Sequence, residues 1–289
     1  MSKDQKDYTS ISPSAKSLLL MKGLTNIPYA KETAALLQGP EIFDLSFDKK
    51  DFWFWIRVMH FENRYWTIDQ LLQQTNSKNI LELSSGYSLR GLDLCVRNQS
   101  IHYIDTDLPA VIDVKQDMIN KLQLNQNTKG KFELLPLNAL DEQDFNGVIS
   151  RFDEGPLTIV NEGLLMYLNL DEKKQLCKII HSALMKRGGC WITADIYTKR
   201  TSEIRATLPQ SKSETAFFEK HNIEENKFEN YETAEAFFRS EGFELLKEAT
   251  PDYAKLSVMP HLLKVLPEEA KNRKEPPPKI QATWMLKPI

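Results

Sequence analysis

One stretch, residues 80–115, constrains this chain more than any other. An apolar run at Ile80, Leu81 and Leu83 meets small residues at Ser84, Ser85 and Gly86. A helical pattern follows, and a second apolar run at Ile101, Tyr103 and Ile104 closes on Asp105 and Asp107. The order is strand, tight turn, helix, strand, acid. In a doubly wound sheet such a unit brings a turn of small residues and a carboxylate together at the carboxyl ends of neighbouring strands, where nucleoside ligands bind. Asp107 stands 21 positions after Gly86, a separation that suits a carboxylate accepting hydrogen bonds from ribose hydroxyls.

The turn lacks a dinucleotide fingerprint. G-x-G-x-x-G would need glycine where Ser84 and Leu89 stand, and only Gly86 and Gly91 are present. A pyrophosphate needs close backbone approach and a helix N-terminus aimed at its charge, whereas a nucleoside without phosphates needs mainly the acid and a flat apolar slot. The pattern points away from NAD and towards S-adenosylmethionine.

Three motifs in order carry a family resemblance. Leu83 to Arg90, reading L-S-S-G-Y-S-L-R, resembles the L-G-x-G-x-D-T-R motif of the leucine carboxyl methyltransferase family, which includes bacterial O-methyltransferases of polyketide-tailoring type. Asp105-Thr106-Asp107-Leu108-Pro109-Ala110-Val111 resembles its acid-x-Asp-x-Pro-x-Val, and Asn161-Glu162-Gly163-Leu164-Leu165-Met166-Tyr167-Leu168 its E-G-x-L-x-Y-L. The resemblance implies an α/β, Rossmann-like class I methyltransferase fold with a seven-stranded, mostly parallel sheet and an antiparallel last strand. It also implies S-adenosylmethionine as the methyl donor. Ser84, Ser88, Leu89 and Asn138 depart from the family pattern.

Carried over residue by residue, the resemblance puts Ser84 and Gly86 at the cofactor turn and Asp107 at the ribose, with Asp105 second. Asn138 and Ala139, where the family has Asp-Leu, fall at the adenine; an Asn carbonyl accepts the same hydrogen bond from the exocyclic amine. Glu162 falls on the methionine and ribose side, near the methyl group. Arg64 best matches an arginine that holds the methionine carboxylate, to which a guanidinium fork is suited. Arg57 is its rival, and a surface ion pair of Arg64 with Glu62 or Asp69 is the plainer alternative. Arg90 either orders the turn or is solvated. Asp107 has a structural alternative as N-cap of the helix that opens at Pro109.

With 289 residues, 41% of them hydrophobic, and a net charge of −3, the chain suits one elaborated globular domain. No basic excess suggests a nucleic-acid partner. No apolar run spans a bilayer, and the start of the chain lacks the apolar core of a signal peptide. Cys95, Cys177 and Cys190 are odd in number and lack metal-ligand spacing, so reduced thiols in a cytoplasm are expected, with no metal.

Residues 1–75 read as a helical extension packed over the mouth of the sheet, with a frayed polar start and a long segment, 48–74, rich in aromatics. Trp53 and Trp55 suit a core, or the wall of a substrate pocket. Residues 76–289 read as the methyltransferase domain, with insertions at about 197–230 and 250–280. Strands are expected at 132–137, 157–160, 190–196, 243–249 and 281–287. The clearest helix runs over 169–189, with acids in its first turn, Lys186 and Arg187 in its last, and glycines at its stop.

The expected reaction is methyl transfer from S-adenosylmethionine to a carboxylate or hydroxyl oxygen of a small molecule or of a C-terminal carboxylate. A carboxylate needs no general base, whereas a hydroxyl does. His60 and Tyr167, beside Glu162, are the catalytic candidates; His181, His221 and His261 lie away from any motif. A SAM-binding protein without turnover is the first alternative, an NAD(P)-dependent oxidoreductase the second. The oligomeric state stays open.

Overall fold

The computed structural model describes residues 12–37, 47, 49–199, 212–271 and 279–289. The first eleven residues and the run Pro276-Pro277-Pro278 lie outside the described residues. Three helices come first: α1 (Ser12–Lys22), α2 (Ala30–Leu36) and α3 (Phe52–Leu72). Strands and helices then alternate through β1 (Asn79–Leu83), α4 (Arg90–Arg97), β2 (His102–Asp107), α5 (Pro109–Leu122), β3 (Lys131–Pro136), α6 (Glu142–Ile149), β4 (Leu157–Asn161), α7 (Leu170–Arg187) and β5 (Gly189–Tyr197). The chain continues with α8 (Lys212–Lys220), α9 (Tyr231–Ser240), β6 (Phe243–Glu248), α10 (Met259–Lys264), α11 (Glu268–Lys271) and β7 (Gln281–Pro288).

The seven strands lie in the order β3-β2-β1-β4-β5-β7-β6. The first five are parallel, and β7 runs antiparallel to both β5 and β6. Strand order reverses between β1 and β4, and that reversal opens a crevice at the carboxyl ends of the strands.

Both faces of the parallel strands are covered, so the strands read as continuous apolar runs rather than alternating ones. The two-residue period divides them: Leu81, Leu83, Ile159 and Trp191 pack with α6, α7 and α9, while Ile80, Val160 and Ile192 pack with α3 and α4. The helix ends follow local chemistry. Asn169 and Glu172 form a reciprocal capping box at the start of α7, and Gly188, at φ 72°, ends it. Asp141 caps α6 by accepting from the Asp144 N–H at 2.9 Å.

The N-cap alternative for Asp107 is not realised: Leu108 occupies that position on α5 with no side-chain cap. The excursion between β6 and β7 packs on the N-terminal helices, where Leu256, Val258 and Leu262 join Met21, Phe54, Trp55 and Val58 in one apolar cluster. Trp55 is therefore a core residue, its ring stacked on His261 with centroids 4.6 Å apart, while Trp53 lines the crevice. All three cysteines are buried free thiols. Among the described residues no helix is long and apolar enough to cross a membrane.

Candidate active site

A cavity of about 1050 Å³ occupies the crevice at the strand reversal. The ends of β1 to β4 form its floor, and α1, α3 and α8 close over it. Ser84, Gly86, Asp107, Asn138, Ala139 and Glu162 all reach its wall, as do Arg64, His60 and Tyr167. Asp105 does not.

The turn after β1 is held from below and from the side. Ser84 and Gly86 have φ of 50° and 55°, so Ser84 occupies the left-handed conformation that usually falls to glycine. The Gly86 N–H donates to Asp107 Oδ2 at 2.7 Å, and the Leu108 N–H donates to Asp107 Oδ1 at 2.7 Å. Burial pushes the Asp107 carboxyl up from its ordinary range, and these two backbone donors oppose it. Asp105 lies beneath the turn, fully buried, with Lys115 Nζ at 2.6 Å and the Ser85 hydroxyl donating to it. Of the two acids at the end of β2, Asp107 faces the cavity, and Asp105 is consumed in anchoring the turn to α5.

Glu162 sits at the centre of a buried cluster of cations. Lys22 Nζ lies 2.6 Å from Oε1, Arg90 Nη2 3.0 Å from Oε2 and Arg64 Nη2 3.5 Å from Oε1. Burial alone would raise this carboxyl; Lys22, Arg64 and Arg90 outweigh it and hold it down at about 2. Burial in turn pushes Lys22 below its ordinary value.

Arg90 is not solvated. It is fully buried, donates to the Tyr65 carbonyl at 2.9 Å and to the Asp69 carboxylate, and lies 3.9 Å from the centroid of the Tyr65 ring. It thus fastens α3 to the start of α4 and to Glu162.

Arg64 is 2% exposed, so the surface ion pair with Glu62 or Asp69 does not form. Glu62 instead accepts from the Ser257 and Val258 N–H groups, and Asp69 pairs with Arg90. Arg64 Nη1 donates to Tyr197 Oη at 3.1 Å, while Nε and Nη2 have no hydrogen-bond partner. Such buried donors are costly unless something binds them. Arg57, the rival, pairs with Glu214 at 2.7 Å.

Gly163 follows Glu162 with φ 88°, and a Cβ there would come within 3.1 Å of Arg64 Nη2. The loop it belongs to is fixed by Asp195 on β5, which accepts from the N–H groups of Gly163, Leu164 and Leu165 at 2.6, 2.6 and 3.1 Å.

Tyr167 donates to Ser14 Oγ at 2.9 Å, tying this loop to α1, and burial raises its phenol. His60 Nε2 lies 2.7 Å from Tyr197 Oη, so this histidine is hydrogen-bonded to a tyrosine of β5. Burial pushes the Tyr197 phenol up to about 12 against the opposing charge of Arg64. The Asn138 carbonyl oxygen accepts from the Leu140 N–H at 3.1 Å, which leaves it one lone pair and the amide hydrogens for a ligand.

Four residues of the polar framework around the cavity have no place in the sequence analysis: Lys22, Lys115, Asp195 and Tyr197. Asp195 did leave a signal, because a lone acid inside the apolar run of β5, buried on both faces, has to satisfy a partner. The cations left none, since their carboxylates lie far along the chain.

No family model and no curated protein matches the sequence. Solved structures do. The methyltransferase domain of a bacterial CtHen1 is 13% identical, covering 80% of this chain and 100% of that one at a TM-score of 0.50. Magnesium protoporphyrin IX methyltransferase from Synechocystis is 8% identical, covering 91% and 96% at a TM-score of 0.49. LepI is 12% identical at a TM-score of 0.44 and covers 74% of this chain, which spans 43% of LepI. The architecture shared with the CtHen1 domain is the Rossmann-like class I methyltransferase fold, with a seven-stranded mixed sheet and helical extensions.

Proposed function

We propose that this protein is an S-adenosylmethionine-dependent O-methyltransferase acting on a carboxylate or hydroxyl oxygen of a small molecule. The observation that carries the reading is Arg64, a buried guanidinium in the wall of the cavity that also holds Asp107 and the Gly86 turn; its Nε and Nη2 make no hydrogen bond, and Nη2 has only the longer ion-pair contacts to Glu162 at 3.5 Å and Asp195 at 3.8 Å. Those nitrogens fit the methionine carboxylate, and Asp107, already fixed by two backbone donors, offers its remaining lone pairs to ribose hydroxyls. Asn138 and Ala139 lie where the adenine would rest. When bound, S-adenosylmethionine supplies a methyl group activated on a sulfonium sulfur.

The chain's own part is orientation and exclusion of water. Glu162 holds Arg64, Lys22 and Arg90 in one frame, so that Arg64 is in position before a ligand arrives. Helix α1 roofs the turn: Ala15 lies 3.5 Å from where a Cβ on Gly86 would stand.

Calorimetric titration with S-adenosylmethionine, S-adenosylhomocysteine (SAH) and NAD tests the reading. Binding of the first two without NAD is the expected result, followed by methyl transfer to carboxylate or hydroxyl probes. Binding of NAD alone, or of none of the three, would overturn it.

A further inference from the structure

We infer that Tyr197 and His60 form a proton relay for a neutral phenolic acceptor, which narrows the acceptor to a flat apolar molecule bearing a hydroxyl. The inference rests on the methyltransferase reading above.

The charges of the cavity wall argue against an anionic acceptor. Among the described residues, Lys22 is paired with Glu162, Arg57 with Glu214, Lys227 with Glu224 and Lys279 with Glu248. Arg64 faces Glu162 and Asp195 at 3.5 and 3.8 Å, and its Nε and Nη2, which make no hydrogen bond, are claimed by the cofactor carboxylate. A second carboxylate entering the cavity would have to break an existing ion pair or stay buried without a counter-charge, and either opposes binding. Trp53, Ile56, Met59, Phe217, Phe218 and Tyr253 add apolar side chains to the wall, four of them aromatic. It suits a flat ring.

A neutral hydroxyl needs somewhere to send its proton, and the wall supplies it. Tyr197 Oη has one hydrogen and two lone pairs. Arg64 Nη1 occupies one lone pair at 3.1 Å; in the His60 tautomer protonated at Nδ1, the Tyr197 hydrogen is donated to His60 Nε2, 2.7 Å away. The second lone pair is left for the acceptor hydroxyl. As the acceptor oxygen bonds to the methyl carbon, the C–S bond breaks and its electron pair stays on sulfur as a neutral thioether. The acceptor proton passes to Tyr197 Oη while the Tyr197 proton passes to His60 Nε2, and His60 later releases it to water. Tyr197 touches the acceptor; His60 acts through it. Among the described residues, the charged groups facing this pair include Arg64 of α3, Glu162 just after β4, Asp195 of β5 and the Arg57–Glu214 bridge between α3 and α8.

The test loads the protein with SAH and titrates 2-naphthol and 2-naphthoate by calorimetry, then follows methylation of 2-naphthol with S-adenosylmethionine across pH. The expected result is preferential binding of 2-naphthol and a kcat/KM that rises with pH through one ionisation. Tyr197→Phe and His60→Gln keep SAH affinity, lower kcat/KM by a factor of about 100 or more, and His60→Gln loses the ionisation. Preference for 2-naphthoate, binding of neither probe, binding without methylation, or full activity in both variants would overturn the relay while SAH binding stands. Failure of SAH to bind overturns the methyltransferase reading, and this inference with it.

Discussion

Lys22 Nζ lies 2.6 Å from Glu162 Oε1, a buried contact between residues 140 positions apart. It fastens the last turn of α1 to the end of β4. Replacing Glu162 with Gln leaves Lys22, Arg64 and Arg90 without their shared counter-charge, and breaking a buried pair in this way costs about 3–5 kcal/mol. Urea unfolding should show a fall in the midpoint of corresponding size. Lys22→Met should cost less, because Arg64 and Arg90 still face the carboxylate.

The same carboxyl makes a pH prediction. Its folded value is about 2 against an ordinary 4.5, so its contribution is present above pH 4.5 and is lost as pH falls towards 2. The stability gap between wild type and Glu162→Gln should therefore be widest above pH 4.5 and shrink progressively below it. Urea midpoints for both proteins at stepped pH read this directly, and a gap that stays constant down to pH 2 would contradict the assignment.

Arg64→Met separates the two halves of the cofactor. Loss of the guanidinium should weaken SAH binding by a factor on the order of 100, the cost of a buried charge pair. Adenosine, which has no carboxylate, should bind as it does to wild type. Calorimetry with both ligands distinguishes a local effect from a collapsed site.

Asp107→Ala removes the proposed ribose acceptor. A lost charge-assisted hydrogen bond of about 1.5–3 kcal/mol raises the Kd for SAH and adenosine alike by roughly 10- to 100-fold. A folded variant that binds either at full strength would remove Asp107 from the site.

Ser84 tests the departure from the family turn. Its left-handed backbone costs an L-residue about 1–2 kcal/mol, partly offset in a glycine variant by the greater freedom of the unfolded chain. Ser84→Gly should raise Tm by about 1–2 °C and leave SAH affinity unchanged.

Local chemistry in the chain made much of the fold legible. Short apolar runs marked the parallel strands and a 3.6-residue period the long helix α7, because each element's apolar surface had to be covered whatever its neighbours were. The turn at Ser84 to Gly86 and the acid at Asp107 could be placed together because a strand, turn, helix and strand fix the spacing between them. Arg90 was harder: its motif position was plain, but burial against Tyr65 and Asp69 depends on α3, which no local pattern aims at α4.

By itself, then, the sequence determined the sheet, its crevice, and which strand ends supply Asp107, Asn138 and Glu162. Tertiary structure alone decided which charges meet there. Lys22, Arg64, Asp195 and Tyr197 come from α1, α3 and β5, and a charge finds its partner through packing across the whole chain, so the run of residues around it carries no record of the contact. That is also why Asp105 and Asp107, two positions apart on one strand, part company: side chains two positions apart on a strand share a face, but Lys115 closes over the first and leaves the second at the cavity wall.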